Sequence, residues 1–197
     1  MRTDGRAGAF TGAVLTGGSS VRMGTDKAFV VVRGAPLCTY PQRALVQAGA
    51  RRVLAVGGRR SADLRALGFE YVADRHPGQG PLGGVLTALG AATHPIVVVL
   101  ACDLPEVDAA AVRGLVVSLH SCPAAAAVPF VDERRQLSAV AYRRSALPAL
   151  AAAFEAGVRS LHHGLASLDV VEVEGMAPVF EDLDDAADLH RYASGDP

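Results

Sequence analysis

The densest set of groups suited to chemistry in this chain is the run Leu15-Thr16-Gly17-Gly18-Ser19-Ser20-Val21-Arg22-Met23-Gly24-Thr25-Asp26-Lys27. Paired glycines let a backbone come close to a flat base or a phosphate, and they expose N–H groups that no side chain covers. Ser19 and Ser20 add hydroxyl donors, and Arg22 and Lys27 place cations on either side of Gly24. Two such cations suit a triphosphate, whose charge has to be balanced before it reacts. The run is not a Walker A loop, because the spacing to Lys27 differs and Ala28 follows where Ser or Thr is required. Nor is it a dinucleotide fingerprint, since Gly17, Gly18 and Gly24 miss the required spacing and no helical pattern opens inside the loop. The plain alternative is a glycine-rich connection with solvated charges. Its place directly after an apolar run of strand length argues for the functional reading.

The elements that must hold this loop show in the apolar spacing. Runs of strand length, rich in valine and bounded by glycine, proline or aspartate, recur at residues 13–16, 52–56, 70–73, 96–101, 124–128 and 169–173. Helix-length segments lie between them at 36–48, 61–67, 81–92, 108–119 and 145–155, several opening on proline or a polar cap. This alternation predicts a three-layer, Rossmann-like α/β fold with a mostly parallel sheet and ligands beyond the carboxyl ends of its strands. Residues 136–142 alternate apolar and polar more cleanly and follow a charged turn at 132–135. They are expected to form an antiparallel excursion.

A length of 197 residues fits one domain, expected to span 1–197 with 1–10 and 193–197 frayed. The longest apolar run, residues 96–102, is far short of a membrane span. A net charge of -1 with scattered arginines provides no basic field for nucleic acid. Cys38, Cys102 and Cys122 are too few and too irregular for a disulfide framework or a zinc site, and the N-terminus lacks the apolar core of a secretion signal. The expected setting is the cytoplasm.

The loop resembles the signature of the molybdenum cofactor guanylyltransferase family, Leu-Ala-Gly-Gly-x-Ser-x-Arg-Met-Gly-x-Asp-Lys, with Thr16 in place of the usual alanine. Gly34-Ala35-Pro36-Leu37, Gly80-Pro81-Leu82-Gly83-Gly84, Cys102-Asp103-Leu104-Pro105 and the stretch 180–189 are similar to further family motifs, in the family's order. The resemblance implies a nucleotidyltransferase fold, GTP and a molybdopterin-type acceptor as substrates, Mg²⁺, and transient contact with cofactor-delivery or acceptor proteins. It implies catalytic roles for Arg22, Lys27 and Asp103. Nucleotide contacts are implied at Leu15, Thr16, Gly17, Gly18, Ser19, Lys27, Gly57, Asp74, Gly80, Pro81, Leu82 and Asp103.

Asp103 ends the valine-rich run at 96–101, and the resemblance makes it the magnesium ligand; Mg²⁺ is commonly held by one or two carboxylates plus substrate oxygens and water. The alternative, a helix cap, falls more naturally to Asp108. Asp74 ends another strand, and one carboxylate can accept both the N1–H and the exocyclic amine of guanine; a turn cap is its alternative. Gly57 and Gly58 stand where the family often has a polar residue, so only backbone is offered there and Arg59 is expected to be solvated. Asp182 and Asp184 replace the family's asparagines and could add a second magnesium contact, orient the pterin or cap a last helix.

Gln136, Ala139 and Tyr142 resemble the region that receives the pterin. His76 is expected to be solvated, and His162 and His163, being adjacent on a helix, are not expected to share a metal. Cys102 reads as a small core residue with no lowered pKa. Together these features predict transfer of GMP to a terminal phosphate with loss of pyrophosphate. The rivals are a molybdopterin cytidylyltransferase, a guanylyltransferase for another small phosphate acceptor, and a catalytically silent nucleotide sensor. Gly17 favours a purine, because the cytidylyl relatives typically carry alanine there, a side chain in the space the larger base needs.

Overall fold

In the computed structural model, which describes residues 8–17, 26–176 and 179–180, strand and helix alternate as the apolar spacing requires. β1 (Phe10–Leu15) leads to a 3-10 turn at Lys27–Phe29, a hairpin of β2 (Val31–Val32) and β3 (Ala35–Pro36), and α1 (Thr39–Ala48). β4 (Arg52–Val56), α2 (Ser61–Ala66), β5 (Glu70–Val72), α3 (Pro81–Ala91), β6 (Ile96–Ala101) and α4 (Ala109–Ser121) follow. The rest is β7 (Ala126–Val131), β8 (Arg134–Arg135), β9 (Ala139–Arg143), α5 (Leu147–Glu155), α6 (Leu161–Leu165) and β10 (Val170–Val173). The β2–β3 hairpin and β8 are additions that short, weakly periodic segments did not announce.

The main sheet runs β10-β7-β9-β6-β1-β4-β5, with β8 paired to β7. β6, β1, β4 and β5 are parallel neighbours, as are β7 and β10. Only β9 on this path is reversed, antiparallel to both β6 and β7. The expected excursion is therefore present but begins later than residue 136. Gln136 N–H donates to Pro129 O at 2.9 Å and so closes the turn instead of entering the strand. Asp132 and Glu133, both at positive φ (49° and 60°), form the tight connection between β7 and β8.

Alternation along the strands sorts the core into two faces. Phe10, Val14, Val98 and Leu100 meet Leu45 of α1 and Leu115 of α4 on one side. Ala13, Val97, Val99 and Val140 meet Leu82 and Leu86 of α3 and Leu150 of α5 on the other. Helices cover both faces, which is why the central strands read as continuous valine-rich runs. Each fully buried leucine contributes about 2 kcal/mol of hydrophobic stabilisation. Among the described residues no helix is long and apolar enough to cross a membrane.

The register decides where a site can lie. Leu15 is opposite both Ala101 of β6 and Val56 of β4, and Val56 is opposite Val72 of β5. Four strands thus end level, and the residues just after them share one edge.

Candidate active site at the carboxyl edge of the sheet

Lys27 and Asp103, far apart in sequence, meet at this edge. Lys27 Nζ donates to Asp103 Oδ2 at 2.5 Å, and the two side chains are only 13% and 14% exposed. The lysine is delivered by the 3-10 turn, which Asp26 caps by accepting from Ala28 N at 3.3 Å and which Ala28 anchors in the core. Asp26 is a structural contributor that the motif contained but that charge alone did not single out. Asp103 Oδ1 is buried and has no hydrogen-bond partner among the described residues. Such an oxygen carries a penalty unless a cation or donor meets it. The helix-cap alternative for Asp103 is excluded by Asp108, whose carboxylate accepts from Ala111 N at 2.8 Å at the start of α4.

Beside that pair, the start of the glycine loop is stitched to the end of β4. Thr16 N and Gly17 N both donate to Val56 O at 3.0 Å, so the N–H of Gly17 is consumed within the protein and is not exposed for a phosphate as its loop position implied. Thr16, 5% exposed, turns its hydroxyl toward the carbonyls of Val56 and Gly57, at 3.2 and 3.0 Å. That side chain therefore fastens the ends of β1 and β4 and is not left to face a ligand. Leu15 packs its side chain over Gly84 of α3.

Asp74 follows β5 on the same edge. Its Oδ1 accepts from His76 N at 3.0 Å and lies 3.0 Å from Thr87 Oγ1, so the turn-capping alternative for this carboxylate is realised through one of its two oxygens. Thr87, a buried α3 residue, was missed at the level of sequence because a lone threonine inside an apolar helix carries no signal. Gly80 and Pro81 open α3. Leu82 is 1% exposed and belongs to the core, so its side chain does not face a ligand; its N–H donates to Arg159 O at 3.2 Å.

Other expected contributors are placed elsewhere. Ala139 and Tyr142 are buried at 0% and 1% exposure because β9 is flanked by β6 and β7, so neither side chain can receive an acceptor. Gln136 is half-buried at the β8 to β9 connection. His76 is not simply solvated: its ring packs against that of Phe154 of α5, with centroids 4.6 Å apart and planes tilted by 53°. Arg59 is exposed, as expected. The rings of His162 and His163 meet edge to face at 5.3 Å, and no group of three metal-ligating side chains occurs among the described residues. Burial pushes the Cys102 thiol up, with Asp103 adding to it, and burial holds Cys38 at about 11; neither is a poised nucleophile. Gly18, Ser19, Ser20, Arg22, Gly24, Asp182 and Asp184 lie outside the described residues.

Residues 12–170 match the model of the MobA-like NTP transferase domain. The chain is 38% identical to the molybdenum cofactor guanylyltransferase of Xanthomonas euvesicatoria pv. vesicatoria, over 79% of each chain. It is 32% identical to the probable molybdenum cofactor guanylyltransferase of Natronomonas pharaonis, over 93% of this chain and 96% of the other. Among solved structures it is similar to molybdopterin-guanine dinucleotide biosynthesis protein A from Archaeoglobus fulgidus, with a TM-score of 0.76, 25% identity and coverage of 93% and 97%. It shares its fold, at a TM-score of 0.72, 21% identity and the same coverage, with the 2-C-methyl-D-erythritol 4-phosphate cytidylyltransferase of Thermus thermophilus.

Proposed function

The chain belongs to the MobA-like NTP transferase family, and from that premise we propose that it transfers GMP from GTP to the terminal phosphate of a molybdenum-molybdopterin cofactor. The observation that carries the proposal is the pairing of Lys27 with Asp103 at the mouth of the sheet, with Asp103 Oδ1 buried and unmet among the described residues. One carboxylate oxygen without a protein donor, beside a cation that balances the other, fits Mg²⁺, which takes few protein ligands and completes its shell with water and phosphate. Asp103 would hold the ion, which when bound supplies charge neutralisation at the phosphate oxygens.

Lys27 carries its ammonium on a flexible stem, so it can turn toward a phosphate oxygen while remaining close to Asp103. Arg22 is assigned as the second cation of the same grip. Asp74 offers Oδ2 to the N1–H and exocyclic amine of guanine, while Oδ1 stays bound to the turn. An oxygen of the acceptor's terminal phosphate then bonds to the α-phosphorus, and the bond from that phosphorus to the bridging oxygen breaks. Pyrophosphate leaves with the electron pair. The protein positions the reactants and balances charge, and no side chain serves as a nucleophile. The chain works as one nucleotidyltransferase domain in this reading.

The test is pyrophosphate release with a molybdopterin acceptor and GTP, CTP or ATP. Release is expected with GTP, with Asp74→Ala narrowing the preference over the other two nucleotides. Equal release from CTP in the wild type would overturn the nucleotide assignment, and acceptor-independent release would overturn the acceptor.

A further inference from the structure

We infer that Thr87, in the interior of α3, is a positioning residue for the base-reading carboxylate of Asp74; this rests on the assignment of Asp74 to guanine made above. Thr87 is fully buried on a helix whose other buried side chains are aliphatic. A threonine inside a helix ordinarily returns its hydroxyl to the carbonyl four residues back, and Gly83 O lies 3.0 Å from Thr87 Oγ1. Asp74 Oδ1 lies at the same 3.0 Å, and Arg75 N–H donates to the hydroxyl oxygen at 3.1 Å. The hydroxyl has one hydrogen to give, and a carboxylate is a stronger acceptor than an amide carbonyl. The proton therefore goes to Asp74.

With His76 N–H also on Oδ1 at 3.0 Å, two donors hold one oxygen and fix the rotation of the carboxylate. Oδ2 is left as the oxygen that meets the base, already oriented. Without the hydroxyl, the carboxylate turns about its terminal bond and has to be ordered each time guanine binds. Thr87 reaches the nucleotide through Asp74, so its effect on binding belongs to nucleotides that carry the two guanine donors.

Calorimetric titration of the full chain with GTP and with ATP, in magnesium, tests this. Thr87→Val is expected to weaken GTP about tenfold while leaving ATP within about twofold, and Thr87→Ser, which restores the hydroxyl, is expected to keep the wild-type ratio. A folded Thr87→Val with an unchanged ratio, while Asp74→Ala lowers it, overturns the positioning role and leaves the guanine assignment standing. An unchanged ratio in both variants overturns the guanine assignment and this inference with it. Equal weakening of GTP and ATP marks a purely structural role and also overturns it. Should the valine variant not fold, Thr87→Ala is read by the same criteria.

Discussion

A Cβ on Gly17 would stand 3.2 Å from the Cα of Gly57 and 3.2 Å from the nitrogen of Gly58, and one on Gly57 would stand 3.0 Å from the Cα of Gly17. The ends of β1 and β4 thus touch backbone to backbone, and Gly57 holds a φ of 76° there, a conformation that favours glycine. Room for a purine is accordingly not the sole reason for glycine at 17. Gly17→Ala is expected to push β4 away, lower stability by about 1–2 kcal/mol and weaken GTP and CTP together. Thermal melting and nucleotide titration check this, and an unchanged melt with loss confined to GTP would return Gly17 to base recognition alone.

Breaking the pair of Lys27 and Asp103 has unequal consequences for the two partners. Lys27→Ala leaves a mostly buried carboxylate without its cation, a loss of about 3 kcal/mol. Asp103→Ala removes the carboxylate and leaves the ammonium on a flexible stem that can adjust, at about 1 kcal/mol. Both variants are expected to lose at least about a hundredfold in turnover. Added Mg²⁺ should raise the melting temperature of Lys27→Ala and not that of Asp103→Ala. The same magnesium response in both would remove Asp103 as the metal ligand.

Thr16→Ala converts this loop to the residue usual in the family. Since the hydroxyl bonds to Val56 O and Gly57 O, the expected cost is about 1 kcal/mol of stability with GTP affinity within about twofold of wild type. A selective loss of GTP affinity in titration, without a change in melting, would place the hydroxyl on the ligand instead.

Arg52 grips Glu70 through two hydrogen bonds, one of them Nε to Oε2 at 2.9 Å, and so holds that carboxyl below its ordinary 4.5. A depressed folded value stabilises the protein above the unfolded value and ceases to do so as pH falls through the folded one. Glu70 is half exposed, so the contribution is under about 1 kcal/mol. Denaturant melts should find Glu70→Gln slightly less stable than wild type at neutral pH, with the gap closing below the ordinary carboxylate range. A gap that persists in acid would assign the difference to packing.

The order of the main strands and helices, and the place of Asp74 and Asp103 just after strands, could be read from residue types and spacing. Each is local information: valine-rich runs mark strands covered on both faces, and a carboxylate just after a strand marks the carboxyl edge of a parallel sheet. The tertiary structure decided which of those groups remain open to a ligand. Gly17 N–H and the Thr16 hydroxyl are spent on β4, Leu82 is enclosed in the core, and Ala139 and Tyr142 are buried because β9 takes the position between β6 and β7. It also set Thr87 behind Asp74 and Phe154 against His76. Sequence carries period and charge along the chain, whereas the consumption of a donor or the covering of a face depends on elements that become neighbours only when the sheet assembles.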